Sequence, residues 1–298
     1  MSAPEMAAAA RTRTGALYAL AAYGLWGLTP IFWRAIGPVG ALEIICHRAL
    51  WSTVFVGLMI AAGGRLPELL RVLRDWRTLR ILALSGALVM GNWYVFIWAV
   101  QRAYVLETSL GYYINPLVSV LLGVLVLRDR LGPFRMVAVG LATLAVAYLT
   151  WSLGVAPWMG LFLAGSFGLY GLIRKMVVVD PLAGLFIETG LAAPFALGWM
   201  FWTAHTGEAG FLSGGLAWRD VLMASSGLIT ALPLVWFAAA ASRLSLSSVG
   251  FFQYLAPSIN FMIAVFLFGE PFTHAHFVAF SLIWVACALV SYDALRRS

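Results

Sequence analysis

Apolar residues run along this chain in stretches of about 20, the length a helix needs to cross a bilayer core of ~30 Å at 1.5 Å per residue. Cut at charged, glycine and proline clusters, the pattern predicts ten such helices. They cover residues 14–34, 39–62, 79–99, 105–127, 133–151, 157–174, 182–203, 219–240, 246–268 and 273–293. Little chain remains for a domain outside the membrane, so function is expected inside the helical bundle. Residues 1–14 read as a short polar tail. The run behind them is too long for the ~7–15-residue core of a signal peptide, and no small-residue cleavage site follows it, so the first helix is expected to be retained.

The same pattern repeats. At a constant offset of 141, Ser85 falls on Ser226, Gly86 on Gly227, Phe96 on Phe237 and Arg102 on Arg243. Tyr113 falls on Tyr254, Pro116 on Pro257 and Asp129 on Glu270. Near the start of each half, Tyr23 to Leu28 reads against Phe167 to Leu172. This divides the chain into a tail (1–14), a first repeat of five helices (15–151) and a second (157–295). Because five is odd, the second repeat enters from the opposite face. The expected fold is therefore all-α, with ten transmembrane helices in two inverted-topology repeats. Secondary transporters are commonly built this way, with a site near the midplane between the halves.

Composition narrows the picture. Of 298 residues, 62% are hydrophobic and only 10% charged, against roughly 25% charged in soluble domains. With a mean hydropathy of +0.92, a soluble enzyme and a nucleic-acid reader are both excluded. The net charge of +7 reports topology instead. Fifteen Lys and Arg fall on the side of the N-terminus, three (Arg34, Arg102, Arg219) on the other, and Arg48 lies within a span. The positive-inside rule then places both termini in the cytoplasm, with the chain crossing the membrane many times. Cys46 and Cys287 both sit in apolar runs and form no disulfide framework. No phosphate-binding loop and no metal-ligand spacing occurs, so neither cofactor nor metal is expected. His274 and His276, at i and i+2, read as surface histidines.

Charges inside spans carry the sharpest chemistry. Glu43 and His47 share a face of the second span at i, i+4, within ion-pair reach when His47 is protonated. Arg48 is turned about 100° away and need not share that partner. A central Arg costs roughly 2.5–3.5 kcal/mol to insert, so such a group is retained where it pairs or lines water. Either a gate or coupling site, or a structural clasp, fits the Glu43–His47–Arg48 cluster. Glu188, early in the seventh span, is its counterpart in the second half, and inversion places Glu43 and Glu188 toward opposite mouths. Glu107 reads as a gating acid or as a helix cap. Pro116 and Pro257 each free a carbonyl one turn earlier and are candidate hinges.

Several segments resemble RarD-type permeases, in the EamA branch of the drug/metabolite transporter superfamily. They are residues 22–28, 43–52, 92–100, 107–117 and 250–257, and the similarity spans about 15–295. The resemblance implies a ten-helix inner-membrane permease for amino acids, metabolites or drugs. It also implies a cavity lined by spans 1, 3, 4, 6, 8 and 9. On those spans the polar and aromatic residues are Tyr23, Trp26, Asn92, Trp93, Trp98, Tyr112, Tyr113, Asn115, Tyr170, Trp236, Gln253 and Tyr254. For Trp26 and Tyr170 a lipid-facing aromatic belt is an equal reading. Gln101 and Tyr104 depart from the residues relatives often carry there. The function expected is secondary transport of small amphipathic molecules by alternating access, as a monomer or homodimer. The alternatives are a membrane-embedded enzyme on a lipid or prenyl substrate, or a non-transporting subunit.

Overall fold

The computed structural model describes residues 3–127, 132–213, 217–244 and 252–297. Among them are eleven α-helices and no strand. The helices are α1 (Ala3–Ala35), α2 (Ala41–Ala62), α3 (Leu66–Leu73), α4 (Trp76–Gln101), α5 (Val105–Leu127) and α6 (Pro133–Leu153). After these come α7 (Trp158–Met176), α8 (Pro181–Thr206), α9 (Ala217–Ala241), α10 (Leu255–Met262) and α11 (His274–Arg297). A π-helical turn, Ile263–Leu267, extends α10.

Local chemistry sets many of the ends. Asp75 accepts Arg77 N–H and the Thr78 hydroxyl at the start of α4. Asp180 accepts Leu182 and Ala183 N–H ahead of Pro181 at the first position of α8. These are N-caps, and proline at the first position has no amide to waste. Gly154 and Gly207 close α6 and α8 at φ of 70° and 75°, where a β-carbon would clash. Pro30, inside α1, cannot donate to the Trp26 carbonyl one turn back, and the Thr29 hydroxyl bonds that oxygen at 2.7 Å instead.

Eight helices are long and apolar enough to cross a membrane: α1, α2, α4, α5, α6, α8, α9 and α11. The surface agrees: Trp151 is 81% and Phe201 77% exposed, which suits lipid contact better than water. α7 falls outside that measure, carrying Tyr170, Arg174 and Lys175, and α10 with its π turn is shorter. Two features add to the expected spans. Residues assigned to an N-terminal tail continue α1 as far as Ala3, because alanine-rich sequence is a strong helix former. A short helix, α3, occupies the connection after α2 and buries only Leu69. Asp129 and the expected start of the ninth span lie outside the described residues.

The connections gather at two ends of the bundle. At the end called upper, the Gln101 amide reaches the Val39 carbonyl at 2.7 Å, and Arg34 lies over the Phe268 ring. At the lower end Arg65 pairs with Asp180 at 3.0 Å and Arg11 reaches the Ser242 carbonyl. The most extensive helix contacts are α2 with α8, α5 with α7, and α6 with α11. α2 and α8 run antiparallel throughout. Glu43 meets Gly210 at the upper end, Thr53 bonds Thr189 at 2.9 Å midway, and Arg65 meets Asp180 below. Glycines allow the tightest approaches. A β-carbon on Gly227 would overlap the Trp51–Ser52 backbone of α2, and one on Gly111 would sit 2.5 Å from the Gly160 carbonyl oxygen of α7. Small residues at such crossings let packing hold apolar helices together where lipid supplies no hydrophobic drive.

Candidate functional site

Helix α2 carries three charged or titratable residues near its start, Glu43 and His47 meeting the chain after α8 and Arg48 meeting α9. Glu43, in the first turn, accepts Gly210 and Phe211 N–H at 2.8 and 3.0 Å. It therefore ties α2 to the chain that follows α8 and is not engaged with His47. The His47 ring lies against Phe211 with centroids 4.4 Å apart, and both its ring nitrogens are buried without a hydrogen-bond partner. The i, i+4 spacing brings the two residues onto one face, but the backbone amides of the loop take the carboxylate.

One residue further along, Arg48 is 93% buried, with 7% of its surface exposed. Its Nε–H donates to the Thr230 hydroxyl of α9 at 2.8 Å. Its guanidinium carbon stands 3.7 Å from the Trp93 ring centroid (α4) and 5.0 Å from that of Trp33 (α1). Tyr112, on α5, lies within electrostatic reach. Among the described residues no carboxylate comes within 4.0 Å of it. Four helices thus converge on one buried cation whose nearest in-sequence acid, Glu43, is committed elsewhere.

Glu188 sits beside the Thr53–Thr189 contact, at the middle of the α2–α8 crossing and not toward its lower mouth. The Ser85 hydroxyl donates to it at 2.6 Å, the Tyr170 hydroxyl at 3.3 Å, and Arg174 approaches to 3.8 Å. Gly86 packs on its backbone. Glu43 and Glu188 therefore occupy unequal depths: ten residues separate Glu43 from Thr53, about 15 Å along a helix, whereas Glu188 adjoins Thr189.

The other expected residues divide into groups. Tyr113 bonds Ser258 at 2.6 Å and stacks on Tyr254, while the Ser109 hydroxyl bonds the Pro257 carbonyl, joining α5 to α10. Asn92 donates to the Leu163 carbonyl and the Ser166 hydroxyl, fastening α4 to α7. Asn115 is buried with its carbonyl oxygen unpaired. Tyr23 packs edge to face on Trp26 and on Phe237, joining α1 to α9. Trp236 and Gln253 are half-buried. Trp98 stands at the upper rim with Tyr104, Trp158 and Arg102, apart from the Arg48 group. Glu107 caps a helix, but not its own: it accepts Met159 and Gly160 N–H at the start of α7. Pro116 lies within α5, whereas Pro257 lies in the first turn of α10, where an amide would be free anyway. The two prolines are therefore not equivalent as kinks.

Sequence reasoning missed Trp33 and Thr230 beside Arg48, and Ser85 and Arg174 beside Glu188. Trp33 follows Trp26 by seven residues, one helical face, which was a usable signal. Ser85 was visible only as one of a repeated pair with Ser226. Nothing in the sequence marks Thr230.

The profile of the EamA-like transporter family matches residues 13–151. "Protein RarD" of Streptomyces exfoliatus is 43% identical over 286 residues, covering 96% of this chain and 90% of its own. An "Uncharacterized transporter" of Vibrio cholerae is 41% identical over 285 residues, covering 95% and 94%. One solved structure, at 17% identity, superposes with a TM-score of 0.61 over 96% of this chain and 99% of that one, a likeness of fold.

Proposed function

Since the chain belongs to the EamA-like transporter family as a RarD-type permease, we propose that it is a secondary transporter of small amphipathic molecules working by alternating access. In this reading it has ten membrane helices, α7 and α10 joining the eight of full length. α1, α2 and α4–α6 form one five-helix repeat and α7–α11 its inverted copy. The observation that carries the reading is the antiparallel α2–α8 pair, joined at its middle by like residues, Thr53 and Thr189. Exchanging the halves also maps the α4–α7 contact onto α9–α1 and the α5–α7 contact onto α10–α1. Gly86 and Gly227, matched at the offset of 141, each pack on the backbone of the facing helix, at Glu188 and at Trp51–Ser52 respectively. Rocking of one repeat against the other about such an axis exposes a central site to each side in turn.

The cargo class follows from the wall. Trp33, Trp93, Tyr112 and Thr230 around one cation suit a small molecule with an apolar or aromatic body and few polar groups. Glu43 with His47, and Glu188 with its Ser85, Tyr170 and Arg174 partners, are proposed as the groups whose rearrangement accompanies the two states.

The test is flux through the purified full chain in liposomes, using labelled tryptophan, phenylalanine, threonine and chloramphenicol. Saturable counterflow of at least one is expected. Absence of protein-dependent movement for all four, with chemical turnover of lipid in its place, would favour the enzyme alternative.

A further inference from the structure

Arg48 is surrounded by a hydroxyl acceptor and ring faces in place of acids. A guanidinium carries five N–H donors in one plane. Among the described residues only Nε–H is engaged, by Thr230. Trp93 covers the flat face at 3.7 Å and Trp33 stands nearby at 5.0 Å. Stacking of this kind leaves the in-plane edge, with its paired terminal donors, free for a planar acceptor. The Trp33 indole N–H is itself buried without an acceptor. Cation–π contact offsets only part of the cost of an unpaired buried charge. Glu43, five residues back, cannot neutralise it, because two loop amides hold that carboxylate. The position therefore has surplus donors, a fixed positive charge and aromatic walls. What completes it is an oxyanion attached to an apolar body.

From this we infer that Arg48 is the cargo's anchor: its terminal N–H groups, with the Trp33 indole, receive a carboxylate, and Trp93 and Tyr112 flank the apolar remainder. The inference rests on the transporter reading and names the chemical class carried, organic carboxylates with an aromatic or aliphatic body. It also gives Arg48 a role apart from its neighbours in α2: Glu43 fastens the helix, while Arg48 reads the ligand.

The experiment is equilibrium binding of labelled 3-phenylpropionate to the full chain in phosphatidylcholine nanodiscs, with competition by unlabelled 3-phenylpropionate and by 3-phenylpropanol, which lacks only the charge. The acid is expected to bind saturably and to compete roughly tenfold or more better than the alcohol, the scale of a charge-assisted bidentate contact. Arg48→Gln should abolish that preference and Arg48→Lys keep part of it. The wild-type acid-to-alcohol comparison stands even if a variant fails to fold. No saturable binding of the acid, equal competition by acid and alcohol, or an unchanged preference in Arg48→Gln would each overturn the assignment. So would displacement of the acid when phosphatidylglycerol replaces phosphatidylcholine, which would give the site to a lipid headgroup. Flux separates the two readings. Acid-selective binding without movement across liposomes would defeat the transporter reading and leave Arg48 as an anion site. Equal flux of acid and alcohol would do the reverse.

Discussion

A carboxylate that accepts two backbone amides holds chain segments together, and three acids at the upper end do this across element boundaries. Glu43 receives Gly210 and Phe211, Glu107 receives Met159 and Gly160, and Glu270 receives Val105 and Leu106. Each carboxylate places negative charge against exposed amides, and for Glu107 and Glu270 these belong to the positive end of a helix dipole. Glu270 lies in the connection between the π turn and α11, outside the spans, so its titration bears on stability. Burial raises its pKa, outweighing the lowering by the Leu106 and Val105 amides and by Arg34. The folded state then holds its proton more tightly than the unfolded chain, whose Glu titrates near ~4.3. Its contribution is full below that value and declines as pH rises through the raised folded pKa. Thermal unfolding of the detergent-solubilised protein across pH 4–8 should show that decline, and Glu270→Gln should flatten it. A slope unchanged in the variant would assign the pH dependence to other groups.

Helix packing here depends on missing side chains as much as on present ones. Gly111 and Gly160 bring the α5 and α7 backbones together, and the atoms a new β-carbon would meet are main chain, which cannot rotate away. Gly111→Ala should therefore force the two helices apart and destabilise by about 1–3 kcal/mol, the usual penalty for overpacking. Gly24 has nothing within 4 Å of its β-carbon position and serves as the control. Gly24→Ala should be neutral or slightly stabilising, since alanine is the better helix former. Equal melting temperatures for the two variants would mean that the α5–α7 contact is looser than its geometry indicates. The Thr29–Trp26 bond around Pro30 shows the complementary device, a side chain supplying the hydrogen bond that proline removes within a span.

For the whole molecule, inverted repeats require that the C-terminus and the 207–213 connection lie on opposite sides of the membrane. Reporters fused after residue 298 and within 207–213 should read cytoplasmic and periplasmic respectively, following the excess of Lys and Arg on the N-terminal side. Both reporters on one side would remove the inverted pairing of α2 with α8 and with it the alternating-access reading.

The sequence by itself determined the membrane as solvent, the all-helical class and most of the spans, because length and hydropathy are local properties that lipid enforces on each segment separately. It also determined family membership, through motifs spread over nearly the whole chain. It identified Glu43, His47, Arg48 and Glu188 as costly charges, since their expense is legible wherever they sit. Only the tertiary structure decided what each charge does. Glu43 and His47 share a helical face, yet a loop 167 residues away captures the carboxylate and leaves the imidazole without a hydrogen bond. Arg48 meets Trp33, Trp93 and Thr230 from three other helices, and Glu107 caps α7 instead of its own helix. Periodicity assigns a residue to a face of its own helix. Which helix covers that face is set by close backbone crossings such as those at Gly227 and Gly111, and these exist only once the bundle is assembled.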